Sequence, residues 1–205
     1  MKKLLLVVAV ACFSLAANAQ EAGEFRFGPM VGLNISSATI DASHKARTGF
    51  NFGAKAEYNV TEAIFMTAGL QYSQRGVKDV PWDGIKLEWN PAYLEIPIHV
   101  GYRLSFSDKF KGFAEAGPYF AFNVGGKLKG KSDGVTAEVD LDSDEATRIF
   151  GGKYKKFEMG VGGAVGLEYS GFQLKVGYDY AITKLCDLSN SGNNTNFYVG
   201  IGYMF

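Results

Sequence analysis

Cysteine is nearly absent from this chain. Cys12 falls in an N-terminal leader, and Cys186 stands alone in the remainder, so no disulfide can staple the mature protein. An excess of either charge is absent too: lysine plus arginine and aspartate plus glutamate number 21 each, which removes the basic balance of a nucleic-acid-binding protein. After the leader no apolar run approaches the roughly 18 residues of a membrane helix. That absence excludes helical spans only, because strands that alternate inward and outward residues average out in any hydropathy window.

The leader itself reads MKKLLLVVAVACFSLAANAQ, with two lysines, an apolar run from Leu4 and an Ala17-Asn18-Ala19 cleavage pattern. We expect residues 1–19 to be a signal peptide and residues 20–205 to be one domain. A lipoprotein cleavage before Cys12 fits less well, since Ala9-Val10-Ala11 lacks the usual leading leucine.

What the chain has is glycine (26), phenylalanine (16) and tyrosine (11), a usage that favours an all-β protein. Eight segments alternate with period two: residues 25–35, 50–59, 64–75, 94–104, 110–123, 157–169, 172–183 and 196–205. In the last, Phe197, Val199, Ile201, Tyr203 and Phe205 oppose Asn196, Tyr198, Gly200, Gly202 and Met204. In the clearest, Leu94, Ile96, Ile98, Val100, Tyr102 and Leu104 oppose Glu95, Pro97, His99, Gly101 and Arg103. Short turns at 60–63, 105–109 and 170–171 alternate with long loops at 36–48, 76–92, 124–156 and 184–195, the arrangement of an outer-membrane barrel.

Alternation does not say which face is inside, and a soluble barrel would turn its apolar face inward. Three features favour the membrane. Across roughly four dozen apolar-face positions there is no charged residue, where an average charged fraction would place about ten. Glycines such as Gly28, Gly101, Gly117 and Gly166 crowd the polar face, making room in a narrow lumen. Aromatic residues gather where the apolar faces end: Phe25, Tyr58, Tyr102, Phe110, Tyr169, Phe172, Tyr203 and Phe205 at one rim, and Phe50, Tyr72, Phe122, Phe157 and Tyr180 at the other. Pro29 and Pro118 each remove a ladder donor on a lipid-facing position, which predicts bulges there. The expected fold is therefore an all-β, eight-stranded antiparallel transmembrane β-barrel with a side-chain-filled lumen, integral to the bacterial outer membrane. The even strand count puts both termini in the periplasm.

The polar face carries Arg26, Lys55, Glu57, Arg75, Glu95, His99, Arg103, Glu115, Glu158, Glu168, Lys175 and Asp179. Because an eight-stranded barrel has an interior just wide enough for side chains, these are read as a structural network that pairs and fills it. The alternative is a narrow proton or ion path. A tight turn at 105–109 would set Glu115 nearly opposite His99. No catalytic, cofactor-binding or metal-ligating set emerges. Asp41, Ser43 and His44 are adjacent in sequence, which does not make a triad. Asp140 to Glu145 begins like a calcium loop but has Glu145 in place of the glycine and Gly151 in place of the closing glutamate. Lys127, Lys129 and Lys131, with Lys153, Lys155 and Lys156, bracket that acidic stretch and suit either lipid phosphates or the acids themselves.

Four stretches carry a resemblance: Gly32-Leu33-Asn34-Ile35-Ser36, Gly69-Leu70-Gln71-Tyr72-Ser73-Gln74-Arg75-Gly76, Tyr93-Leu94-Glu95-Ile96-Pro97 and Glu115-Ala116-Gly117-Pro118-Tyr119. Through them the chain resembles the PorT-type outer-membrane β-barrel family of the Bacteroidota, over nearly the whole mature sequence. The resemblance implies fold and location; its motifs are structural, and the secretion role behind the family name is not carried over. The functional expectation is a cell-envelope protein in contact with outer-membrane lipid, with a structural or interaction role through long extracellular loops. Loop 124–156 is the expected contact for an envelope or extracellular protein. The alternatives are a subunit of an envelope secretion or assembly complex, and a narrow channel.

Overall fold

The computed structural model describes residues 22–39, 44–82, 85–132, 135–141, 143–144, 155–184 and 192–205. The signal-peptide expectation for residues 1–19 lies outside them. Ten strands occur among the described residues: β1 Phe25–Ala38, β2 Lys45–Asn59, β3 Ile64–Gln74, β4 Val77–Trp82, β5 Ile85–Ser105, β6 Phe110–Ser132, β7 Val135–Asp140, β8 Phe157–Tyr169, β9 Phe172–Lys184 and β10 Asn193–Tyr203. All pairings are antiparallel, and β10 returns to β1 through a nine-residue register from Met30↔Gly202 to Ala38↔Asn194. The sheet is thereby closed, and no strand of the ring has a free edge.

The ring has eight positions. β4 continues the line of β3 past Arg75 and Gly76, pairing with β5 and, at Lys45 and Ala46, with β2. β7 lies against the same edge of β6 as β8 does, further along that strand. Both short strands fall in stretches that sequence alternation assigns to loops, 76–92 and 124–156, and these assignments are corrected in part. β5 and β6 run for 21 and 23 residues. A tilted strand crosses a bilayer in about 9–11 residues, so half of each rises beyond the barrel wall as a sheet extension. The extension stands at the end of the barrel opposite Phe25 and Phe205.

Below the extension the burial pattern alternates along every strand, with Val31, Leu33, Leu70, Ile98, Val100, Val165 and Ile201 pointing out and charged or small residues pointing in. This is the reverse of a soluble barrel, and it identifies a wall whose surroundings are apolar. Aromatic rings meet at both rims of that wall. Phe25 and Tyr58 lie 4.9 Å apart and Phe172 and Tyr203 4.8 Å apart at one end; Phe122 and Phe157 lie 5.3 Å apart at the other.

The bulges expected at Pro29 and Pro118 are not formed. Pro29 pairs in register with Ala54, and Pro118 with Val161. Each proline instead turns its missing donor toward an interruption in the neighbouring ladder: the β1–β10 pairing starts only at Met30, and the β5–β6 pairing skips from Pro97↔Tyr119 to Val100↔Ala116. A register shift does occur in β6, where Ala92 faces Gly125 but Tyr93 faces Asn123, leaving Val124 as the extra residue.

Candidate functional site: the lumen and its cap

Inward-facing side chains form three tiers along the lumen. Nearest the termini, Arg26 donates to Glu57 Oε1 at 2.9 Å and to Glu168 Oε1 at 2.7 Å, while Arg103 donates to the same Glu57 oxygen and, at 2.9 Å, to Asn59 Oδ1. Gln173 donates to the second Glu168 oxygen at 2.7 Å. The Arg103 guanidinium lies over the Phe65 ring, 4.5 Å from its centroid, and that ring occupies the space where a side chain at Gly101 would begin.

In the middle tier Glu115 accepts from Lys55 at 3.3 Å and from Lys175 at 3.1 Å. His99 Nδ1 is 3.8 Å from Glu115 Oε1, longer than a hydrogen bond. The residue directly across from Glu115 is Gly101, so His99 reaches the carboxylate diagonally rather than from the opposed position. A cavity of about 30 Å³ lies beside this tier, lined by Lys55, Glu95, His99, Glu115, Lys175 and Asp179 among others. It has room on the order of one water molecule, which is not a through path.

The third tier centres on Arg75, which is fully buried. It donates to Glu95, to Asp179 Oδ2 at 3.1 Å and to Glu158 Oε1 at 3.1 Å, drawing carboxylates from β5, β9 and β8 onto one guanidinium. Tyr119 donates to Glu158 at 3.0 Å, Gln71 to Glu95 at 2.8 Å, Asn196 to Asp179 at 3.3 Å, and Asn194 to Glu158. Of the polar-face residues named from sequence, Arg26, Lys55, Glu57, Arg75, Glu95, His99, Arg103, Glu115, Glu158, Glu168 and Asp179 are buried here, and Lys175 is half-buried. Asn34, Asn194, Asn196, Gln71, Gln173, Tyr93 and Tyr119 belong to the same network. They share its face by alternation, yet carry no charge to draw attention. Ser37 Oγ lies 2.9 Å from His44 Nε2, while Asp41 and Ser43 lie outside the described residues, as does Glu145 of the calcium-like stretch.

Above Arg75 the inner face changes character. Tyr93, Tyr119 and Ala121 join Ala38, Val77, Leu87, Trp89, Leu128 and Leu141 in one buried apolar cluster, with Val80, Ile85 and Val139 packed at its margin. This cluster caps the charged lumen. The outward face changes in the opposite sense, to Lys86, Glu88, Lys127, Glu138 and Asp140. On β6 the extra residue Val124 makes the switch, because it moves even-numbered Leu128 inside where odd-numbered Tyr119 and Ala121 had been. Outside the membrane wall Glu138 accepts from Lys127 at 3.0 Å and also pairs with Lys129; the two lysines hold its carboxyl at about 2, below the ordinary 4.5.

A closed ring with an apolar exterior, aromatic rims and a paired, capped interior is a membrane-spanning architecture. A family model described as outer membrane protein beta-barrel domain matches residues 17–187. The chain belongs to that family. It is thus an integral protein of the bacterial outer membrane, in contact with lipid. Among solved structures it is similar to Ail, the attachment invasion locus protein of Yersinia pestis, at 16% identity over 90% of this chain and 99% of that one, with a TM-score of 0.44. It is also similar to OprG of Pseudomonas aeruginosa (14%; 91% and 98%; 0.49) and to Neisserial surface protein A (15%; 88% and 97%; 0.44). No relative is found among curated proteins.

Proposed function

We propose that this family member is an interaction protein of the cell surface, whose barrel is an inert anchor and whose sheet extension meets other molecules outside the cell. The observation that carries the reading is the apolar cap over the Arg75 tier. A charged lumen roofed by Trp89, Leu128, Tyr93 and their neighbours offers an ion no continuous polar track. The buried charges then serve to hold the barrel, and the chemistry available to a partner lies on the extension and the adjoining 124–156 segment. Both termini are periplasmic in this arrangement, with the extension on the outer side.

The PorT-type resemblance gains support from where its motifs meet. Asn34, Arg75, Glu95 and Tyr119 come from the four separate stretches and belong to one hydrogen-bonded tier. The reading of this chain as a subunit of an envelope secretion or assembly complex rests on the length of the extension.

The test is conductance of the purified, refolded protein in planar bilayers, with native-gel sizing after mild-detergent extraction. Silent bilayers and a lone small barrel support the surface-protein reading. Steady single-channel currents would replace it with the channel, and a large co-migrating assembly with the subunit. In a Cys186→Ser background, labelling of Lys86→Cys by a membrane-impermeant maleimide on intact cells is the expected outcome for the orientation; labelling only after lysis would invert it.

A further inference from the structure

We propose that the outer edge of β7 is a docking edge for an extended segment of another protein, one that alternates basic and apolar residues and adds a strand to the extension. β7 is the last strand of the sheet and pairs, among the described residues, with β6 alone. Leu141 donates to the Gly126 carbonyl at 3.1 Å, and the register from there fixes the alternation: Val139 and Ala137 turn their N–H and C=O toward β6, while Asp140, Glu138 and Thr136 turn theirs away. Ser143 takes the Asp140 carbonyl. The N–H groups of Thr136, Glu138 and Asp140 and the carbonyls of Thr136 and Glu138 then lie along an exposed edge.

The two margins of the extension differ. Open edges are ordinarily blunted by lysine, proline or a bulge. β4 carries all of these, with Lys78, Pro81 and a register shift between Val77 and Val80. β7, reading Val-Thr-Ala-Glu-Val-Asp, has none of them, and its register with β6 is unbroken from Val135 to Asp140. The side chains set the chemistry of the partner. On the outer face the cross-strand rows run Glu88, Lys129, Glu138 and Asn90, Lys127, Asp140, so both end on an acid at β7. β6 meets those acids with Lys129 and Lys127 on either side of inward Leu128. A strand at the open edge faces the same acids at the same spacing, and basic residues two apart answer them as cross-strand pairs. Both lysines of β6 reach Glu138, and among the described residues Asp140 makes no ion pair, so the basic residue opposite Asp140 carries more of the preference. The residue between the two basic ones stands beside Val139 at the margin of the apolar cluster, where an apolar side chain extends that cluster. Backbone hydrogen bonds give such an added strand its affinity, and the side chains its selectivity.

The docking edge deepens the surface-interaction reading and rests on it. The folded full-length barrel in nonionic micelles is titrated with the blocked hexapeptide Thr-Lys-Val-Lys-Val-Thr, and amide exchange in β7 is followed by NMR. At saturation the Thr136, Glu138 and Asp140 amides are expected to gain at least tenfold protection, while the Ala137 and Val139 amides, already bonded to β6, change little. Thr136→Pro removes an outward N–H and no bond to β6, and should weaken binding at least tenfold. Glu138→Gln with Asp140→Asn should weaken it severalfold, as should replacing the peptide's lysines by glutamates. Absence of the alternating protection, or unaltered affinity in Thr136→Pro, overturns the docking edge. Equal affinity for the glutamate peptide overturns the basic partner, and protection that rises with protein concentration alone overturns it in favour of a second copy of the chain. Heat-modifiable gel mobility establishes that each variant is folded; were Thr136→Pro unfolded, the presence or absence of alternating protection in the native chain decides the matter on its own. One purified protein and synthetic peptides suffice, so a negative result strikes the edge alone and leaves the bilayer and sizing outcomes, which decide the wider reading, as they stand.

Discussion

Along β5 the odd-numbered residues point inward from one end to the other, yet the two halves of the strand are built on opposite rules. From residue 93 to 105 the inner positions are Tyr93, Glu95, His99 and Arg103, and the outer ones are Leu94, Ile96, Ile98 and Val100. From 85 to 92 the inner positions are Leu87 and Trp89, and the outer ones Lys86, Glu88 and Asn90. The backbone continues unbroken; the surrounding solvent does not. In lipid no hydrophobic force drives apolar side chains inward, so polar groups are sequestered where they can pair. In water the same geometry buries apolar side chains instead. The membrane boundary is written into β5 as a change of residue type at Tyr93, and into β6 as a change of phase at Val124.

Each half should break in its own way. The largest effect is expected at the bottom of the cap. Arg75→Ala leaves Glu95, Glu158 and Asp179 buried around a missing cation, and should cost about 3 to 5 kcal/mol in refolding equilibrium measurements; a cost under 1 kcal/mol would mean the tier is not what holds the lumen. In the extension, Trp89→Ala should cost a similar 3 to 5 kcal/mol by opening a cavity, but only locally. Hydrogen exchange at Leu87 and Leu128 amides should accelerate while the urea midpoint of the barrel stays put, and coupled loss of both would merge the two regions into one cooperative unit. Ile98→Arg places a charge on the lipid face and should cost about 2 to 4 kcal/mol; unchanged stability would invert the assignment of faces. The smallest effect concerns Glu138. Its folded carboxyl is held at about 2, below its ordinary 4.5, so its contribution to the extension is fully present above pH 4.5 and is lost as pH falls toward 2. The group is exposed, and the expected readout is faster exchange of β7 amides over that window, abolished in Glu138→Gln.

The barrel was legible because lipid imposes a simple rule over long stretches: every lipid-facing position of the barrel wall had to be uncharged, and the phase of each strand followed from that. The eight-position closure was legible for the same reason. The extension was not. In 76–92 the inner residues Val77, Leu87 and Trp89 are apolar while outer residues are charged, a pattern opposite to that of the barrel, and the segments are short. In 124–140 the alternation runs on in sequence, with Leu128 in phase with Phe120 and Phe122 and Lys127 and Lys129 in phase with Tyr119 and Ala121, so the flip at Val124 leaves no mark in the pattern. The proline error has a related cause. A missing donor needs only an interrupted ladder on one side, as at 98–99 against 117–118, and the strand can keep its register across the gap without a bulge. The polar face gave away its charges but not its amides: Asn34, Asn194 and Asn196 matter through geometry around Arg75 and Asp179, not through type.

The Arg75 tier also bears on how such a barrel can be put into a membrane at all. Its guanidinium comes from the end of β3, and its three carboxylates come from β5, β8 and β9, spread over more than a hundred residues of chain. A sheet of the early strands alone would hold Arg75 with only Glu95, and one of the late strands alone would hold Glu158 and Asp179 without a cation, in a medium that hydrates neither. The complete set exists only once late strands stand beside early ones, so insertion and closure are expected to be a single concerted event, with nothing stable in between.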